Sequence, residues 1–527
     1  MIILHHAHIH TLNPGQPTVS ALAIEQGRIV FAGSDDEVLA AAPAGAQTFH
    51  MEGKTILPGL ADAHIHFSYY ALSLSKIYLD TPSRSACLRL VSEHARNLAP
   101  GEWLLGYGWE SAAWEEGAGN ADILEQAAPG VPVFLTSRSL HSGWANRTAL
   151  RLAGITAQTP DPPGGLIGRD STGEPDGFLY EKAKRLIDGM LPQPSQKTLQ
   201  KAMLRAQTSL WQMGITTIHD FDKNDSFIAL QEMELRGELK LRVIKSILFS
   251  ELDHAVGVGL RSGFGSDRLR MGSVKLFADG ALGPRTAAML EPFEDTHGES
   301  GMLLLDADAI YDYGRKAVFN GLSIAVHALG DRANHETLNA FARLRSFEQE
   351  QGLPPYRHRL EHGELLIPAD RPRIGKMGII ASLQPMQIPS DRALIQLATG
   401  KREKFAFPLW DILQNGAILA LGSDAPVESP NPFWGIHAAV TRSRQGDPDP
   451  AGVWLAEQRI SLQAALEGYT TGPAFAGWME NQLGKLAPGY FADLIVLDQD
   501  IFDIPPQEIY RLQPSAVMFD GKWVWQK

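Results

Sequence analysis

Short apolar runs, each ended by turn chemistry, open the chain: 1–11 before Asn13-Pro14-Gly15, 21–25 before Gln26-Gly27, and 29–32 before Gly33. The other end has the same texture, with Pro488-Gly489, apolar runs at 492–497 and 516–520, Gly521, and a last run at 523–525. Strand-like ends around a mixed middle predict one small β-sandwich domain assembled from both termini, residues 1–56 and 480–527.

Between them, strand-like runs recur at 56–63, 131–136, 215–219, 273–278, 322–327, 357–362, 378–383 and 418–422, with helical spacing at 196–214, 306–320 and 332–344. Eight such runs are what a (β/α)8 TIM barrel requires, so the predicted class is α/β, with the barrel over 57–479. The first two gaps exceed an ordinary βα repeat and predict insertions at about 67–130 and 140–195. The Pro- and Gly-rich stretch 162–177 reads as tight turns, an inserted hairpin or a lid over the site.

Charge and cysteine content narrow the function. Lys plus Arg total 47 against 60 for Asp plus Glu, a net charge of −13 without a basic patch or acidic tail, which argues against nucleic acid as a partner. The lone Cys87 excludes an intrachain disulfide framework and a thiolate zinc cluster, so any metal is held by His, carboxylate or similar ligands. The start of the chain lacks the features of a secretory signal, and no run reaches the roughly 18 apolar residues of a membrane span. The expectation is a cytoplasmic protein with a small-molecule substrate and no membrane partner; a homodimer is compatible with this.

Local chemistry is strongest at 57–66, an apolar strand ending in His64-Ile65-His66. Alternation points both imidazoles the same way, and at the carboxyl end of a barrel strand they make a chelating pair; the plain alternative is two polar strand residues. His8-Ile9-His10 has the identical pattern but lies in the terminal sheet, where a partly solvated face accounts for it. Lys275, His327, His362 and Asp424 stand at or near the ends of later strands. Singly, they read as an ion-pairing lysine, satisfied histidines and a helix cap. In a barrel, however, side chains from these ends meet at the mouth and can share an ion.

With these residues in view, the chain resembles the amidohydrolase superfamily, most of all its YtcJ-like branch, which includes N-substituted formamide deformylases. The resemblance is carried by Pro58-Gly59 with His64 and His66, by 274–283 around Lys275, by 327–334, by Arg359-Leu360-Glu361-His362 and by Gly422-Ser423-Asp424-Ala425-Pro426. The closing stretch 484–494 resembles the sandwich-domain signature. The resemblance implies one or two divalent ions, zinc foremost. His64, His66 and Asp424 would hold one, His327 and His362 the other, with an N6-carboxylated Lys275 between them; a single ion with unmodified Lys275 is the alternative.

The implied reaction is hydrolysis of a non-peptide carbon–nitrogen bond by metal-activated hydroxide, with Asp424 as ligand and proton shuttle. Ring deaminases of the same superfamily often carry Glu just after the fifth-strand histidine, whereas His327 is followed by Ala328-Leu329-Gly330. Lactone or ester hydrolysis uses the same nucleophile, and a noncatalytic regulator retaining the fold is a further alternative. Candidate substrate contacts are Trp109, His141, Asp279 and Arg285. Their plain readings are a packing aromatic, a loop hydrogen bonder and an Asp279–Arg285 ion pair. His219, expected on the third strand, Glu361 and Asp331 are candidates to support the ligands.

Overall fold

The structure, a computed structural model, describes residues 1–99, 101–110, 114–138, 140–191, 194–447 and 453–527. Contacts divide it into two compact units, one of Met1–Phe67 with Leu204–Lys527 and one of Ser68–Met203.

The first unit contains an eight-stranded sheet in sequential order: Leu60–Ile65 (β1), Ile215–Asp220 (β2), Arg242–Leu248 (β3), Leu269–Phe277 (β4), Ile324–Ala328 (β5), Arg359–His362 (β6), Ile380–Leu383 (β7) and Ile418–Leu421 (β8). Neighbours pair in parallel throughout. These strands are buried along nearly their whole length, as parallel strands covered on both faces must be. The sheet closes where Ile65 bridges Ala425 just past β8. At that seam the Asp424 amide donates to His64 O at 2.7 Å and the His66 amide to Ala425 O at 2.9 Å. A Cβ on Gly422 would lie 2.5 Å from the His64 nitrogen, so the seam admits only glycine there.

Amphipathic helices cover the barrel. Ala307–Phe319 starts where Asp306 accepts the Ala309 amide at 2.9 Å, and Asp331–Glu350 buries Leu338, Phe341 and Leu344. Their apolar faces join Ile324, Val326 and Leu360 in one large core.

Both chain ends build two more sheets. One has the order Arg28–Gly33, Ala21–Glu25, Ile2–His5, Gln47–His50; the other runs Lys522–Gln526, Ala516–Phe519, Leu494–Leu497, Thr55–Pro58, His8–His10, Thr18–Val19. Leu4, Leu22 and Ile29 of the first share a core with Ile9, Ile56, Val496 and Met518 of the second. Buried Arg242 of β3 forms a fork with Asp493, beside this sheet, at 2.6 and 3.0 Å.

One expected barrel strand is corrected. The run at 131–136 contributes Val133–Ser137 to a six-stranded sheet of the 68–203 unit, alongside Leu104–Trp109, Ser142–Ala145 and the hairpin Gly165–Arg169/Pro175–Glu181. The true third barrel strand, β3, carries buried Arg242, Lys245 and Ser246, which break its apolar pattern. His219 therefore lies on the second strand rather than the third. Among the described residues no helix is long and apolar enough to cross a membrane.

Candidate metal centre

The two-residue period of β1 sets Asp62 and His64 on one side at its carboxyl end, and His66 follows just past it. Asp424, just past β8, places Oδ1 3.3 Å from His66 Nε2 and 3.6 Å from His64 Nε2. That oxygen is buried near both rings yet forms no well-aligned hydrogen bond. The His362 ring centroid, at the end of β6, lies 5.0 Å from that of His64 and 4.6 Å from that of His327 on β5. Lys275 of β4 buries its Nζ with no hydrogen-bond partner, between the rings of Phe221 and Phe277 at 5.0 and 5.3 Å. The six residues singled out from sequence thus gather at one rim of the barrel. His362 and Asp424 hold left-handed backbone, φ 71° and 59°, a strain of about 1–3 kcal/mol each of the kind found where surroundings over-determine a functional side chain.

Hydrogen bonds fix how each imidazole faces. His64 Nδ1 donates to Glu361 Oε2 at 2.6 Å, and His66 Nδ1 lies 3.1 Å from Asp222 Oδ1. His362 Nδ1 lies 2.8 Å from Gln384 Oε1. His327 is reversed, with Nε2 3.0 Å from Gly280 O. Three rings are therefore held through Nδ1 and one through Nε2, the arrangement that orients histidine ligands. Glu361 is itself gripped by Arg359, whose Nε lies 2.6 Å from Oε1. The remaining Arg359 nitrogens donate to Ala63 O, Ser382 Oγ and His219 Nδ1 at 2.7, 2.9 and 2.7 Å. Phe221 stacks on His64 with centroids 4.1 Å apart.

The charge states follow from burial. His64 and His362 fall well below the usual imidazole range, through burial first and then through Lys275 and neighbouring histidines, so both are neutral as ligation requires. His66 is pushed up to about 10: burial opposes its charge, but Asp222 and Asp424 outweigh it. A cation would have to displace that proton. Burial brings Lys275 down to about 8 against the pull of Glu361 and Asp424. Burial also works against charge on Glu361, yet Arg359 and Lys275 keep its carboxyl below the usual range.

The candidate substrate contacts fare differently. Trp109 is 3% exposed inside the 68–203 unit, donating from Nε1 to Leu135 O at 2.9 Å among Trp114, Trp144 and Phe178, which is a packing role. His141, in the same unit, sets Nδ1 3.0 Å from Glu181 Oε1. The Asp279–Arg285 ion pair does not form. Buried Asp279 accepts the amides of Ala288, Leu329 and Gly330 at 2.9, 3.1 and 2.9 Å, which staples the loops after β4 and β5. Arg285 instead pairs with Asp295, with Nε 2.9 Å from Oδ1. Asp331 accepts the Leu290 amide at 2.7 Å, so it holds a loop rather than a ligand.

Sequence reasoning missed Asp62, Asp222, Phe221, Gln384 and Arg359. Asp62 was findable, since it shares the alternation of His64 and His66; it accepts the amides of His64 and Ser423 at 3.1 and 3.0 Å and so fixes the turn that carries Asp424.

The donor set fits a divalent ion of the zinc kind: imidazoles and a carboxylate without thiolate, an orphaned buried carboxylate oxygen, and an orphaned buried amine beside it. A closed α/β barrel with such groups at the carboxyl ends of its strands has the layout of a barrel enzyme, whose active site lies at that rim. The chain belongs to the amidohydrolase family, whose model matches residues 47–525. It is 30% identical over 540 residues to the putative amidohydrolase YtcJ of Bacillus subtilis, covering 100% of this chain and 99% of that one. It is 26% identical over 546 residues to N-substituted formamide deformylase of Arthrobacter pascens, covering 99% and 97%. Its fold is similar to that of an uncharacterized metal-dependent hydrolase from Pyrococcus horikoshii, with TM-score 0.77 and 26% identity over 96% of this chain and 99% of that one.

Proposed function

We propose that this chain is a metal-dependent hydrolase cleaving an amide-type, non-peptide carbon–nitrogen bond in a small molecule. The observation that carries the reading is the pair of buried groups without hydrogen-bond partners, Lys275 Nζ and Asp424 Oδ1, set among four oriented histidines. His64, His66 and Asp424 would hold one divalent ion, His327 and His362 a second, and Lys275, carboxylated on Nζ, would lie between them. In that modification the neutral amine adds to carbon dioxide, a nitrogen–carbon bond forms and one proton leaves, which turns a would-be buried cation into an anion. Bound zinc lowers the pKa of water to about 7 and polarises a carbonyl oxygen.

The protein's own part is orientation and proton handling. Asp424, held by the seam and by the Asp62–Ser423 turn, accepts a proton from the attacking water and delivers it to the leaving nitrogen. The Glu361, Asp222 and Gln384 contacts keep His64, His66 and His362 in one orientation each. Amide rather than lactone chemistry is favoured by the likeness to the A. pascens deformylase over nearly the full length. The single buried Cys87 supports a reducing, cytoplasmic setting.

The test is Asp424→Asn in zinc-loaded protein. Turnover of N-formyl and N-acyl amines should fall about 10²–10⁴-fold while zinc content persists; full turnover with full zinc rejects the shuttle. Hydrolysis of lactones but of no amide rejects the bond assignment, and inertness toward both rejects the enzyme. Restoration of activity by bicarbonate after carbon dioxide depletion tests the carbamate.

A further inference from the structure

Away from the barrel mouth, three histidines meet on one face of the four-stranded terminal sheet. Ile2–His5 runs parallel to the edge strand Gln47–His50, and the register sets His5 directly against His50. Both imidazoles therefore leave the same face, with ring centroids 5.2 Å apart. On a continuing strand His6 would point to the other face. It instead adopts left-handed backbone at φ 59°, with its amide donating to Asp35 Oδ1 at 2.7 Å. That turn folds its ring back to 4.9 Å from His5 and stacks it 4.5 Å from His50.

The result is a three-imidazole cluster in which one ring nitrogen from each residue lies within 4.8 Å of the others. His5 Nδ1 and His6 Nδ1 are 2.6 Å apart, and the nearest carboxylate, Asp35 Oδ2, stands 3.8 Å from His6 Nδ1. His5 and His6 share a hydrogen bond, and the left-handed turn at His6 brings a nitrogen of all three rings to where one ion could be reached. The neighbouring trio His8, His10 and Asp500 differs in chemistry. Both of its imidazoles reach one carboxylate oxygen, at 2.6 and 2.9 Å, and Asp500 Oδ1 accepts the Phe502 amide at 2.9 Å, so its polar groups match without a cation.

We propose that His5, His6 and His50 form a peripheral site for a nitrogen-preferring divalent transition metal, zinc or nickel, with Asp35 as an outlying fourth group. Three imidazoles favour such ions over magnesium or calcium. Zinc–nitrogen bonds of about 2.0–2.1 Å around a tetrahedral ion space the nitrogens about 3.3 Å apart, between the shortest and the limiting separations here. His6 and His50 are exposed, so small side-chain rotations reach that spacing. An ion there would clip the edge strand to its neighbour. The site shares no residue with the barrel mouth and stands whether or not the hydrolase reading does.

The experiment uses full-length protein dialysed against zinc or nickel, with elemental analysis of bound metal. The wild type should bind one more ion per chain than His5→Ala/His50→Ala, and the exposed substitution His6→Gln, which removes a ligand itself, should weaken that ion by at least the roughly tenfold that losing a partner which only orients a ligand costs. Barrel turnover should match the wild type in both variants, and zinc added beyond what fills the barrel mouth should raise the thermal midpoint further only where the cluster is intact. Unchanged stoichiometry in the double variant overturns the site. So does an ion lost in His10→Ala but kept in His6→Gln.

Discussion

Glu361→Gln tests how much the centre depends on residues that touch no substrate. Glu361 is fully buried; Oε2 accepts His64 Nδ1 at 2.6 Å and Arg359 at 3.2 Å, while Oε1 accepts Arg359 Nε at 2.6 Å. Glutamine keeps the shape but has one acceptor oxygen where two partners each present N–H. If its oxygen faces Arg359, its amino group faces His64, which then accepts at Nδ1 and carries its proton on Nε2, the nitrogen turned toward Asp424. If the oxygen faces His64, the amino group opposes the guanidinium.

Either orientation forfeits a charge-assisted hydrogen bond of about 1.5–3 kcal/mol. At the ligand this appears as about 10–100-fold weaker zinc binding, the usual effect of losing a partner that orients a metal-bound histidine. Breaking a buried ion pair outright costs about 3–5 kcal/mol. Arg359 retains Ala63 O and Ser382 Oγ at 2.7 and 2.9 Å, so the stability loss should sit at the low end, about 3 kcal/mol. Chelator competition gives the zinc affinity. The first denaturant transition, read apart from any second because the chain has two compact units, gives the stability. Wild-type zinc affinity in folded Glu361→Gln would show that the His64–Glu361 contact does not orient a ligand.

Three further outcomes are expected. Asp493→Ala removes the 2.6 and 3.0 Å fork from buried Arg242, which keeps Asp520 Oδ1 at 3.5 Å and Asp267 O at 3.0 Å, and should cost about 3 kcal/mol in urea unfolding, with zinc content of the folded fraction unchanged; a midpoint equal to wild type refutes it. His437, buried with Nδ1 unpartnered, has its pKa pushed down to about 4 by burial, so the unfolded chain protonates first. Its stability contribution is complete above the usual value of 6.5 and lost as pH falls toward about 4, amounting to about 2 kcal/mol after allowance for partial solvation. His437→Gln should flatten that slope, and an unchanged slope counts against it. Burial raises the Cys87 thiol to about 12, so iodoacetamide should label it only on unfolding; fast labelling of native protein would contradict the buried environment.

What could be read from the chain, and what could not, divides by whether a residue's partner is local. The ends of β1, β4, β5 and β6 and the turn after β8 each interrupt an apolar run with a polar side chain, so Lys275, His327, His362 and Asp424 stood out beside His64 and His66. β3 was hidden for the opposite reason. Its polar residues are buried because Asp493 pairs Arg242 and Asp220 pairs Lys245, partners that no window around residues 242–248 contains. The run at 131–136 is a genuine strand that pairs in another sheet, since neighbour choice is decided by the packing of the whole 68–203 unit.

His8-Ile9-His10 and His64-Ile65-His66 make the same point more sharply, being identical in local pattern. They part only when a carboxylate arrives from hundreds of residues away. Asp500 comes within 2.6 and 2.9 Å and satisfies both imidazoles. Asp424 stops at 3.3 and 3.6 Å with an unmatched oxygen, beside an equally unmatched lysine. A matched trio is at rest without a cation, whereas Asp424 without a cation leans on a protonated His66 alone, at a distance that leaves its buried oxygen poorly matched. The discriminating quantity is thus polar satisfaction rather than spacing.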